Sequence, residues 1–82
     1  MDTERVRARG EYEELRLEAE RLRMAGNEAR EALADAIGVY RPIEVIEPAR
    51  VLFLSAQLVD AASKLQKEVL PQMGRIREKY GL

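Results

Sequence analysis

Apolar residues recur along the first half of the chain in alternating steps of four and three: Ala8, Tyr12, Leu15, Ala19, Leu22, Gly26, Ala29, Leu33 and Ala36. At about 100° per residue these positions fall on one stripe, the seam of an antiparallel coiled coil. The spacing predicts a helix over about residues 3–37. The stripe is poor in bulk, since Ala19, Gly26, Ala29 and Ala36 leave little between this helix and a neighbour, so the opposing helix is expected to supply larger side chains. Gly38 can close the helix in the left-handed conformation, with Val39 as the apolar contact of a Schellman motif. Gly26-Asn27 is the one place where a break could fall, because glycine costs about 1 kcal/mol inside a helix and asparagine caps well. The seam keeps its register across it, which favours one continuous helix.

The second half carries a broader apolar pattern. Val51, Leu54, Leu58, Ala61 and Leu65 form one edge; Leu52, Ser55, Val59, Ala62, Val69, Met73 and Ile76 form another. This predicts a second helix over about residues 48–80, with Pro48 in its first turn. Pro71 lacks a backbone N–H and clashes with the preceding turn, so a kink is expected near it, leaving residues 72–80 as a tilted last segment or a separate short helix. Between the helices, residues 38–47 form a connector bounded by prolines, whose Ile43 and Ile46 are expected to cap one end. Helices of similar length joined by a short connector read as an all-α antiparallel hairpin, one domain over residues 1–82.

Together the two edges cover about half of the second helix, more than one thin seam can hide. A second copy is the simplest cover, giving a homodimer, or a higher oligomer, built as a four-helix bundle. Leu54, Leu58, Ala61 and Leu65 are the expected self-association residues. Val6, Leu17 and Met24 line up on the far side of the first helix, and Phe53 sits on the wet side of the second. Leu17, Met24 and Phe53 are candidates for a partner surface, unless Tyr40 or Ile43 folds over Phe53.

Composition narrows the chemistry. Eighty-two residues hide only about 60–65% of their surface on folding, so a chain of this size gains most from disulfides, metals or oligomerisation. Cysteine and histidine are both absent, removing disulfides, thiolate sites and the commonest general base. The five glycines are isolated, none in a phosphate-binding loop. The acidic side chains lie on outward faces, without the Glu-x-x-His pairs of a bundle di-metal centre. No enzyme activity, metal or cofactor is expected. The start of the chain lacks the apolar stretch of a signal peptide, and the greasiest run, residues 51–62, is shorter than the ~20 residues of a membrane span. A cytoplasmic protein without membrane contact is the expectation.

Fourteen basic and fifteen acidic residues nearly cancel. On the outer face of the first helix, Arg7 with Glu11, Arg9 with Glu13 and Glu20 with Arg23 stand at ion-pair spacing. The charges are uneven, however: residues 64–82 hold five basic against two acidic side chains. In a hairpin, Arg5, Arg7 and Arg9 come beside Arg75, Arg77 and Lys79, a cationic end suited to backbone phosphates. The sequence therefore favours a non-enzymatic, oligomerising protein-interaction module with an assembly, adaptor or regulatory role. A small nucleic-acid-binding regulator is the alternative.

Overall fold

A computed structural model describes residues 2–82. Helix α1 runs unbroken from Thr3 to Ile37. Asp2 starts it by accepting a 3.2 Å hydrogen bond from the Arg5 backbone N–H, and Glu4 adds negative charge where the helix dipole is positive. Gly26-Asn27 does not interrupt it; the Asn27 side chain accepts from Arg30 instead of capping a new helix. At the other end Gly38 adopts φ +53°, and its N–H donates to the Ala34 carbonyl at 2.9 Å. The positive φ is the reason for glycine there. The expected apolar contact of Val39 is not made, because that side chain stands in solvent.

The chain then turns through a short 3₁₀ segment, Ile43–Val45, and enters α2, Pro48–Lys64. Of the connector's apolar side chains only Ile46 is half-buried, whereas Ile43 and Tyr40 are open, Tyr40 to 98%. The isoleucine cap is thus made by one residue, since the proline-bounded turn points Ile43 away from the helices.

The second rod continues through a wide π turn, Leu65–Val69, into α3, Leu70–Tyr80. The Leu70 N–H reaches back five residues to the Leu65 carbonyl. Proline explains part of this. Pro71 cannot donate to the Lys67 carbonyl, and a wider turn gives its ring room beside that group. The remainder is a matter of register. Seam residues advance by seven from Val51 to Leu58 to Leu65 and from Leu54 to Ala61, but by eight from Leu65 to Met73 and from Ala61 to Val69. They then advance by seven again, to Tyr80 and Ile76. One extra residue interrupts the heptads, and the π turn absorbs it.

This corrects the sequence reading of Val69, Met73 and Ile76. A plain α-helix would align them with Leu52 and Val59. The π turn swings them onto the Leu54 edge, where Val69 is 6% exposed and Met73, Ile76 and Tyr80 are half-buried. The apolar arc is therefore narrower than the linear pattern implies.

Both α2 and α3 pack against α1, giving a hairpin 65 × 17 × 15 Å in extent. Its radius of gyration is 18.1 Å, against about 12 Å for a compact chain of this length. The core is a thin line of Ala8, Ala19, Ala29, Ala36, Leu54, Ala61 and Val69. Among the described residues no buried side-chain nitrogen or oxygen lacks a partner.

Two outcomes follow for stability. A Cβ on Gly26 would lie 3.6 Å from the Ala61 Cβ, an ordinary contact. Gly26→Ala is therefore expected to stabilise the hairpin by up to about 1 kcal/mol in urea denaturation. Pro71→Ala alone should keep the wide turn, because the heptads still carry an extra residue. Pro71→Ala combined with deletion of exposed Gln66 should convert the turn to regular α-helix with the seam intact. Backbone NMR of the Leu70 amide distinguishes the two.

Candidate interaction surfaces

Because the seam is built on alanine, side clefts remain where larger residues would have filled the space between the helices. One cleft, about 400 Å³, is lined by Ala25, Ala29, Ala32 and Leu54 and carries the carboxylates of Glu28 and Asp60. The other, about 300 Å³, runs beside Leu22, Gly26, Leu58, Ala62 and Leu65, with Arg23 and Arg30 on its rim. The hairpin thus has an acid-rimmed side and an arginine-rimmed side.

A regularity on α1 accounts for the arginine rim, while the acid rim comes from Glu28 and from Asp60 on α2. Arg9, Arg16, Arg23 and Arg30 repeat every seven residues along one flank of the seam, and Glu4, Glu11 and Glu18 along the other. These are the positions that border the apolar stripe of a coiled coil. The spacing is legible in the sequence once the seam is assigned, but pairing charges by local proximity alone misses it.

The ion pairs differ correspondingly from those expected. Arg16 takes both neighbouring carboxylates, Glu13 at 3.1 Å and Glu20 at 2.7 Å. Hydrogen bonding and charge from Glu13, then the charge of Glu20, raise its already high pKa. Arg21 pairs with Glu18 at 2.6 Å and Lys64 with Asp60 at 3.3 Å. Among the described residues the Arg7–Glu11, Arg9–Glu13 and Glu20–Arg23 pairs are not made; Arg16 lies within about one helical turn of both Glu13 and Glu20 and engages them in place of Arg9 and Arg23. All these groups are solvated, and such pairs orient side chains more than they stabilise the fold.

The four residues expected to mediate self-association divide between two environments. Leu54 and Ala61 are buried inside the hairpin and closed to a second molecule; Leu58 and Leu65 are half-buried on the rim of the arginine-side cleft. On α2, Leu52 is 72% exposed and Val59 61% exposed, and Ser55 and Ala62 in the same row are half-buried. Phe53 is also exposed, and neither Tyr40 nor Ile43 covers it, both being open themselves. Leu17 and Met24 are exposed on the outside of α1, as is Val6.

At the open end, Arg7 and Tyr80 border one hollow together with Glu4 and Glu11. Arg5 and Arg9 lie one turn apart and share a different hollow with Asp2 and Val6. The basic side chains are therefore spread around the end, because residues two apart on a helix point about 200° away from each other. Arg75, Arg77 and Lys79 are exposed on α3, and the Lys79 ammonium stands 5.3 Å from the Tyr80 ring centre. Among the described residues none of these six cations makes an ion pair.

Among the described residues no three metal-ligating side chains converge, and no helix is long and apolar enough to cross a membrane. Compared with known proteins, the chain matches no family model, no curated protein and no solved structure.

Leu17 and Met24 touch little of the hairpin, so Leu17→Gln and Met24→Gln should change its unfolding free energy by no more than about 0.5 kcal/mol. Urea titration at a concentration where only monomer is present provides the measurement.

Proposed function

We propose that this chain is a non-enzymatic interaction module that self-associates, pairing hairpins into a four-helix bundle with an assembly, adaptor or regulatory role. One observation carries the reading. The isolated hairpin exposes 6451 Å², whereas a compact monomer of 9.4 kDa exposes about 5,000 Å². The excess, about 1,400 Å², is larger than the roughly 800 Å² that each partner contributes to a standard protein interface. Part of it is hydrocarbon: Leu52 and Val59 share one face of α2, beside the cleft residues Leu58 and Ala62, and Phe53 is exposed elsewhere on that helix. At about 25 cal/mol per Å² of apolar surface, covering such a face is a strong driving force for a chain whose own core is mostly alanine.

A second, narrower reading draws on the open end. Six cations that make no ion pair among the described residues, near an exposed end of the rod, suit the phosphates of a nucleic acid. Asp2, Glu4, Glu11 and Glu78 work against it by diluting the local charge.

Sedimentation equilibrium separates the readings. Self-association predicts a dimer or larger species at micromolar concentration; a monomer that melts cooperatively would overturn it. The nucleic-acid reading predicts low-salt binding to duplex or single strands that weakens when Arg5, Arg7, Arg9, Arg75 and Arg77 are changed to Gln. Absence of binding at low salt removes it.

A further inference from the structure

Leu52, Ser55, Val59 and Ala62 follow one another in steps of three, four and three, a second heptad row on α2. Each lies one residue beyond a member of the buried edge: Val51, Leu54, Leu58 and Ala61. One residue is a rotation of about 100°, close to the right angle between neighbouring contacts in a square four-helix bundle. The first row is occupied by α1. The second is vacant, and it carries the two exposed large aliphatic residues on this part of the helix.

We infer that this row seats the same row of a second copy of the chain, α2 against α2 in antiparallel orientation, a pairing that presupposes the self-association proposed above. Three observations select this occupant. The first is size alternation. Large residues, Leu52 and Val59, occupy one heptad position, and small ones, Ser55 and Ala62, occupy the other. Antiparallel pairing sets each position against the opposite one, so Leu52 meets the copy's Ala62 and Val59 meets its Ser55. Every layer then holds one large and one small side chain. Parallel pairing would stack large on large and leave voids at Ser55 and Ala62.

The second observation is charge. Residues flanking the row are Val51 and Leu58 on one side and Ala56 and Ser63 on the other, all uncharged. The nearest charged pair, Asp60 and Lys64, is internally neutralised at 3.3 Å. A two-fold contact places like on like, so an uncharged strip is what it requires. Gly26 lies opposite Ala61, which puts Arg30 level with the midpoint of the pairing. The two Arg30 side chains are exposed to solvent and screened, so their repulsion is a small opposing effect.

The third is area. The exposed excess of about 1,400 Å² per chain exceeds the roughly 800 Å² each partner commits to a standard interface, so the hairpin has enough surface to spare.

Absence of native cysteine makes the geometry directly testable. Leu52→Cys and Ala62→Cys proteins are oxidised separately and as an equal mixture, then separated without reductant and identified by mass. The pairing predicts a mixed disulfide at least several-fold more abundant than either homodimer. In parallel, Val59→Glu should weaken dimerisation at least tenfold in sedimentation equilibrium with unchanged helical circular dichroism, while Val39→Glu, at a solvent-exposed site of the connector, should leave it unaltered. If the wild type dimerises but Val59→Glu does so equally and no mixed disulfide accumulates, this row is not the interface, although self-association stands. A wild type that stays monomeric throughout overturns both.

Discussion

The close approach of α1 to the second rod, through side chains too small to keep them apart, governs the rest of the molecule. Where Gly26 meets Ala61 the gap leaves room for one more methyl group and little else. Such packing fixes register well, because a helix can slide only by driving a larger residue into a slot made for alanine. It buries little hydrocarbon in return. Among the described residues five of the seven buried apolar ones are alanines, so the interior holds few of the heavy side chains that stabilise ordinary domains. The same geometry leaves the two side clefts open and pushes aliphatic residues such as Leu52 and Val59 outward.

The π turn preserves that register along the whole rod. Without it, an eight-residue step would turn Val69, Met73, Ile76 and Tyr80 away from α1 and strip the last third of the hairpin of its seam. Pro71 reinforces the choice, since a regular turn there would force its ring against the Lys67 carbonyl. A residue that breaks helices and a pattern that needs one extra position thus favour the same local structure. Agreement of this kind between local and tertiary preference gives one conformation a lead over its competitors.

The hairpin, the extent of α1 and the uninterrupted run through Gly26 are legible in the sequence because periodicity and capping signals agree over many residues. Asp2, Gly38 and Pro48 each act at an end where their chemistry allows little else. The phase of the chain beyond Leu65 is harder to read. Val69 and Met73 suit either edge of α2 until the extra residue is counted against the heptad, and a proline suggests a bend more readily than a widened turn. The exposure of Ile43 and Tyr40 depends on where a short loop points, which composition does not encode. The candidate surface was partly visible: the greasy second helix is plain, but deciding that Leu54 and Ala61 face inward and Leu52 and Val59 outward requires knowing where α1 lies.

The 65 Å length has an electrical consequence. Screening in physiological salt extends about 8 Å, so the two tips of the rod are separated by several such lengths. The cationic tip, with Arg7 and Lys79, and the greasy tip, with Tyr40 and Ile43, therefore do not feel each other's charge. A charge added or removed at one tip leaves the electrostatic potential at the other unaltered.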